Sequence, residues 1–138
     1  MAIVERPSST FTPSVSTLEP ESFTSSGLRS FFAYRDLGIA DATGGKFGFK
    51  VVHAKDGETQ TTGWHYHTCD LQVVYCLNGW EEIALEDGRT VRLVPGTCLN
   101  IPPGYIHNEV SYSPDMEVMV FSSPAVIGSV PVDPPTMG

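Results

Sequence analysis

The chain has 138 residues, a length that suits one domain with one hydrophobic core. Its formal net charge of −8 at pH 7 argues against nucleic acid as a partner, because nucleic-acid-binding proteins typically have a basic surface. The apolar runs are too short to span a bilayer, and no basic segment followed by an apolar one opens the chain, so we expect neither a membrane anchor nor a signal peptide. Three cysteines without regular spacing favour a reducing compartment, the cytoplasm.

In chain order, residues 1–27 form an arm rich in Ser, Thr and Pro, a composition that favours disorder. The alternative is that part of this arm packs on a neighbouring subunit. Strands are predicted after it, with a loop over 38–45 and a hairpin turn at Asp87-Gly88. Their ranges are 28–36, 47–55 (closed by Asp56-Gly57), 61–67, 71–78, 80–86, 90–93, 97–101, 106–111 and 117–121.

No stretch has sustained helical periodicity, and eight or nine short strands with turns at regular spacing predict an all-β barrel or jelly roll. We expect this barrel to occupy residues 28–122. The Pro-rich tail over 123–138 is expected to lie along its surface.

A possible metal site begins with two histidines one residue apart. Side chains alternate along a strand, so His65 and His67 point the same way. On the next predicted strand Gln72, Val74 and Cys76 share one face. If the two faces meet, two imidazoles and an amide oxygen converge on one point.

A second stretch supplies a third histidine. His107 follows a Pro-Pro-Gly turn in the sequence GTCLNIPPGYIHNEVS, which begins at Gly96. Three histidines and one glutamine form a plausible ligand set for a divalent metal, namely His65, His67, Gln72 and His107.

Together the two stretches resemble the paired motifs of the cupin superfamily. In the first family motif three or four residues separate His-x-His from Glu, and six residues separate Glu from Gly; the matching positions here are His65, His67, Gln72 and Gly79. The second places Gly, Pro-x-Gly, His and Asn at set spacings, and it is matched by Gly96, Pro102, Gly104, His107 and Ser111. The resemblance implies a single cupin-type jelly-roll β-barrel with short N- and C-terminal extensions, and it supports a homodimer that covers exposed sheet edges.

Three positions depart from the family pattern. Gly57 lies eight residues before His65 rather than six, and Ser111 replaces an asparagine that is not a ligand. Gln72 replaces a glutamate ligand, which leaves all four donors neutral and the metal with its full positive charge. That charge favours an anionic, chelating substrate and activation of its carbonyl by a Lewis acid. Zn, Mn, Ni and Fe all remain possible metals.

Other residues near the motifs have structural interpretations as well. Tyr105 beside the Pro-Gly turn is interpreted as packing or as part of a pocket mouth, and Cys76 and Cys98 as small core residues. His53 is interpreted as a surface or hydrogen-bonded histidine, and Cys69 as a turn thiol rather than a soft ligand. The expected substrate pocket contains Tyr105, Val74, Cys76 and Ser111. Arg35, Arg89 and Arg92 are expected to be solvated, although an anionic substrate needs a cation nearby.

Glu109 is the candidate catalytic base. Strand alternation places it, with Ser111, on the same face as His107. A carboxylate that faces the barrel interior needs a cation or a donor, so the alternative is a strand bulge that lets Glu109 reach solvent. Of the neighbouring Glu81 and Glu82, one should face solvent.

The function predicted from these patterns is that of a metal-dependent enzyme acting on a small oxygenated or anionic metabolite. The favoured chemistry is enolisation, isomerisation, cyclisation or lyase chemistry. An iron-dependent dioxygenase is the first alternative. A non-catalytic metabolite-binding or sensor protein is the second.

Overall fold

In the computed structural model, residues 5–25, 27–55 and 60–136 can be described. The predicted turn at Asp56-Gly57 lies outside these ranges. The secondary structure of these ranges comprises ten strands and one short helix. They are β1 (Phe32–Asp36), α1 (Ile39–Ala42), β2 (Gly48–Ala54), β3 (His65–Thr68), β4 (Leu71–Asn78), β5 (Glu81–Leu85), β6 (Thr90–Leu93), β7 (Cys98–Asn100), β8 (His107–Tyr112), β9 (Glu117–Ser123) and β10 (Gly128–Pro131).

The strands form two five-stranded antiparallel sheets. One sheet has the order β1-β2-β9-β4-β7, and the other has the order β10-β3-β8-β5-β6. Sequence neighbours such as β3 and β4 lie in different sheets, and β9 returns to pair with both β2 and β4. The all-β jelly-roll prediction is therefore confirmed.

The hydrophobic core lies between the two sheets and is built by strand alternation. On β4 the side chains of Gln72, Val74 and Cys76 are buried, whereas those of Leu71 and Tyr75 are exposed. The opposite sheet contributes apolar side chains such as Ile83, Leu85 and Leu93. The predicted inner face of this strand is thus observed, and it brings Gln72 to the interior.

Several predicted boundaries change. Residues 28–31 precede β1 instead of belonging to it, and the predicted loop over 38–45 contains the one-turn helix α1. The barrel extends beyond the predicted limit at residue 122, because β10 pairs with β3 from within the Pro-rich tail. Short strands that lack strong alternation, such as β10, have no signal in the sequence pattern.

The N-terminal arm contacts the barrel at separate points. Thr24 forms an isolated bridge with Tyr34, and the ring of Phe11 meets that of Phe47 edge to face. Phe23 stacks on His53 with ring centroids 3.9 Å apart, and His53 is not one of the clustered histidines. In the described ranges, no helix has the length and apolarity needed to cross a membrane.

Candidate metal centre

Three histidines meet on the inner face of one sheet. His65 and His67 come from β3, and His107 from the neighbouring β8, where it is the register partner of His65. Their candidate ligand atoms all lie within 4.8 Å of one another, and all three side chains are buried. Gln72 reaches the same interior from β4 in the opposite sheet and lines the same cavity as His65 and His67. The four residues named by the sequence motifs are therefore brought to one place.

Each histidine is oriented by a backbone carbonyl. His65 Nδ1 lies 2.7 Å from the carbonyl oxygen of Gly63, and His67 Nδ1 lies 3.1 Å from that of Gly128. His107 Nδ1 lies 2.9 Å from the carbonyl oxygen of Tyr105. A carbonyl only accepts hydrogen bonds, so each Nδ1 carries the proton and each Nε2 keeps a free lone pair. Such carbonyl partners fix the tautomer and ring orientation of metal-binding histidines.

The turns around the site depend on glycine. Gly63, which orients His65, has φ +77°, and Gly104, in the turn before β8, has φ +75°. Side chains other than glycine rarely adopt this conformation. The N–H of Gly104 also donates to the carbonyl oxygen of His67 at 3.0 Å, so the Pro-Gly turn ties β8 to the first histidine pair.

Burial keeps the three imidazoles neutral. Desolvation lowers the pKa of His65 and of His67 to about 4, opposed by their hydrogen bonds to backbone carbonyls. It lowers the pKa of His107 as well. A neutral imidazole is the form that binds a metal, so the cluster is prepared for a cation at neutral pH.

Two buried atoms that could bind a metal have no hydrogen-bond partner in the described part of the chain. They are Gln72 Oε1 and His107 Nε2. A buried polar atom without a partner costs about 1–3 kcal/mol, so native proteins rarely keep one unless a ligand satisfies it. A divalent cation bound there would satisfy both lone pairs, and the residues present therefore fit a metal ion.

The comparisons with known proteins point to one fold. No protein-family model matches the chain. No curated protein matches it either. Among solved structures, KdgF from Halomonas sp. is 22% identical, with a TM-score of 0.66 over 82% of this chain and 94% of that one. The polyketide cyclase RemF from Streptomyces resistomycificus is 20% identical, with a TM-score of 0.62 over 95% of this chain and 87% of that one. The chain has the cupin fold.

A third cupin structure agrees. Ectoine synthase from P. lautus is 20% identical, with a TM-score of 0.56 over 75% of this chain and 80% of that one. At such identities the likeness concerns the fold, and it confirms the resemblance drawn from the two motifs. The chemistry has to be argued from the side chains of this cupin barrel.

A small cavity of about 60 Å³ opens beside the histidines between the two sheets. Its polar lining combines three of the candidate ligands, His65, His67 and Gln72, with two acids, Glu81 and Glu109, and two bases, Arg29 and Lys50. The rest is apolar and aromatic, namely Leu28, Phe32, Tyr34, Val52, Val74, Val118, Val120 and Ile127. Charged groups of both signs around an apolar pocket are typical of a binding site for a small polar molecule.

Glu109 faces this cavity because the pairing of β8 stays regular from His107 to Glu109, and the strand bulges only after Glu109. In the pairing of β5 with β8, Glu82 opposes Ser111 but Ile83 opposes Glu109, which leaves Val110 as the extra residue. Burial raises the pKa of Glu109 to about 7, and the positive charge of Arg29 opposes this rise.

Glu81 is a second acid in the cavity that the motifs did not reveal. Its side chain is buried, its Oε1 has no hydrogen-bond partner among the described residues, and desolvation raises its pKa well above the ordinary value. Glu82 points outward and forms an ion pair with Arg92 at 3.1 Å. The expected alternation of these two glutamates is confirmed, and the buried member is the one that lines the site.

The predicted pocket residues divide into two groups. Val74 lines the cavity, whereas Cys76, Tyr105 and Ser111 are not part of its lining. Cys76 is fully buried, and its thiol donates to the carbonyl oxygen of Asn78 at 3.5 Å. Because of the bulge, Ser111 leaves the face of His107 and donates its hydroxyl to Glu82 Oε1 at 3.3 Å.

Tyr105 and the other cysteines lie elsewhere. Tyr105 packs against the edge of the core, and its carbonyl oxygen accepts the His107 hydrogen bond. The core assignment of Cys98 is wrong, because its side chain is exposed on the outer face of β7, and Cys69 is half-buried in the turn after β3.

Proposed function

We propose that this cupin is a metal-dependent enzyme that acts on a small oxygenated or anionic metabolite by enolisation, isomerisation, cyclisation or lyase chemistry. The observation that carries the proposal is the grouping of three neutral imidazoles and one amide, of which His107 Nε2 and Gln72 Oε1 have no hydrogen-bond partner in the described part of the chain. His65, His67 and His107 would hold the metal through Nε2, and Gln72 through Oε1. Zn, Mn, Ni and Fe all accept such a ligand set.

A metal in this site would polarise a substrate oxygen as a Lewis acid. The chain supplies the other parts of the reaction. The apolar walls from both sheets exclude water, and the backbone carbonyls hold the three imidazoles in position. Neutral ligands do not offset the charge of the cation, which favours carbonyl activation over redox chemistry.

Proton transfer is assigned to Glu109. Its carboxyl lines the cavity on the strand that carries His107, and the positive charge of Arg29 acts on it. General-base catalysis requires a carboxylate within reach of a substrate proton, and the position of Glu109 in the cavity lining supports this role. Glu81, on the neighbouring strand, is available as a hydrogen-bond donor while it remains protonated.

The experiment that tests this function combines metal analysis with a screen for turnover with and without oxygen. Protein purified without chelator should contain close to one divalent ion per chain, and turnover should persist without air when zinc or manganese replaces iron. Turnover that needs iron and consumes oxygen stoichiometrically would favour the dioxygenase alternative. Tight metabolite binding without turnover would favour the sensor alternative.

We further infer that the protein forms a homodimer in the cytoplasm. Apolar side chains cover the outer face of one sheet, namely Phe49, Val73, Tyr75, Cys98, Met119 and Phe121. An apolar face of this kind favours association with a second copy. The three cysteines are free thiols, which suits a reducing compartment. Light scattering of the purified protein, with Phe121→Glu as the variant expected to dissociate it, tests the dimer.

A further inference from the structure

Lys50 occupies an unusual position for a lysine. It lies on β2, an interior strand of its sheet, on the same face as the core residues Val52 and Ala54. Its side chain lines the cavity and is half-buried, with Nζ 5.5 Å from the ring centroid of Tyr34. Lysines are almost never buried without a partner, because the desolvated charge is costly.

Arg29 brings a second cation to the same cavity. It lies just before β1, where its backbone N–H donates to the hydroxyl of Tyr34 at 2.9 Å, and it lines the cavity together with Tyr34 and Lys50. Within the described ranges neither side chain forms an ion pair. Asp36 opposes Lys50 across the two strands, and its charge acts on Lys50 without such a contact.

Both residues lie near the histidine cluster, because they line the same cavity as His65, His67 and Gln72. The register gives the separation within the sheet. Lys50 opposes Val120 on β9, and Val120 opposes Val74 on β4, beside Gln72. The backbones of β2 and β4 are thus two strand spacings apart, about 10 Å. The long side chain of Lys50 spans part of this distance, and the gap that remains matches the length of a small molecule.

We propose that Lys50 and Arg29 bind the carboxylate of the substrate, so that the substrate is a small monocarboxylate with a carbonyl or hydroxyl oxygen directed toward the histidines. This assignment rests on the proposed function, because the second oxygen is meant for the metal. It makes Lys50 and Arg29 the residues that orient the substrate and select its class.

The surroundings favour a single negative charge. The guanidinium group of arginine presents a planar pair of donors that matches a carboxylate, and the lysine ammonium supplies a point charge. The same cavity contains Glu81 and Glu109, whose carboxyl groups would repel a dianion such as phosphate once they ionise. A neutral ligand would leave both cations without a partner.

The test measures binding rather than turnover, with pyruvate and its neutral amide, pyruvamide, as probes in calorimetric titrations. Pyruvate should bind at millimolar concentration and at least tenfold more tightly than pyruvamide, because a charge-assisted contact is lost in the amide. Lys50→Met and Arg29→Gln should each remove most of this preference. Lys46→Met makes the same change of charge at an exposed position outside the cavity and should keep the preference.

The titrations are run on zinc-loaded and on chelator-treated protein. The preference for pyruvate should persist without metal, although binding is weaker, because the two cations belong to the chain. Failure to bind zinc would contradict the proposed function and leave the carboxylate measurement intact. Equal affinity for the two probes, binding of neither probe, an unchanged preference in Lys50→Met, or tighter binding of inorganic phosphate than of pyruvate would overturn the carboxylate assignment.

Discussion

The two walls of the cavity differ in how they hold their polar groups. On the histidine wall every ring is fixed by a backbone carbonyl, and strand alternation aims the remaining lone pairs at one point. On the opposite wall Lys50 and Arg29 are long, flexible side chains without ion-pair partners in the described part of the chain. In the proposed function the first wall holds a metal ion, and the second binds the carboxylate of a substrate that enters and leaves.

The largest change in metal content and turnover is expected for a substitution in the histidine wall. His67→Ala removes one of the three imidazoles, so the bound metal should fall by at least tenfold, and turnover should fall with it. Metal analysis after dialysis measures the loss, and circular dichroism checks the fold. His53→Ala is the matched control, because His53 stacks on Phe23 and does not line the cavity. This variant should keep the metal content of the parent protein. Full metal content in His67→Ala would contradict the site.

A substitution of Glu109 should distinguish the role of this acid from that of the metal ligands. Glu109→Gln keeps the size of the side chain and removes the base, so turnover should fall roughly 100-fold or more with normal metal content. Glu82→Gln serves as the control, because Glu82 points outward to Arg92. Unchanged turnover in Glu109→Gln would assign the proton transfer to a water molecule or a substrate group.

Replacement of Lys50 should increase the stability of the fold while it weakens carboxylate binding. Lys50→Met removes a half-buried charge whose desolvation lowers its pKa, so the free energy of unfolding should rise on the order of 1 kcal/mol. Urea denaturation of the metal-free protein measures this change, with Lys46→Met as the control that stays near the parent. A destabilised Lys50→Met would mean that the lysine is structural.

The smallest expected effect depends on pH. A carboxyl whose folded pKa is raised stabilises the fold below its unfolded pKa and loses that contribution as the pH rises through the folded value. Glu81 has such a raised pKa because of burial. The stability of metal-free Glu81→Gln relative to the parent should therefore increase from pH 4 toward pH 8. A difference that stays constant across this range would contradict the burial of the acid.

The sequence predicts the candidate metal ligands far better than it predicts the two cations of the cavity, for physical reasons. His65, His67, Gln72 and His107 are set by a period of two and by turns with characteristic residues, both of which are visible in one dimension. Lys50 lies in a strand whose inner face depends on pairing with β1 and β9, and Arg29 lies outside any regular element. Nothing local indicates that either residue faces the cavity.

Irregularity accounts for the remaining differences. The bulge at Val110 shifts Ser111 off the face of His107 while leaving Glu109 inside, and alternation alone does not indicate where a strand bulges. Glu81 was expected to alternate with Glu82, but only the packing of β5 between β6 and β8 decides which of the two is buried. The strand β10 was missed because its partner lies about 60 residues away.

In the proposed metal site three imidazoles and one amide oxygen bind a single divalent ion. X-ray absorption at the zinc edge of zinc-loaded protein measures this coordination. We expect nitrogen and oxygen donors at about 2.0–2.2 Å with the scattering pattern of three imidazoles. A sulfur donor at about 2.3 Å, which would come from a cysteine such as Cys69, or a spectrum with fewer than two imidazoles would contradict it.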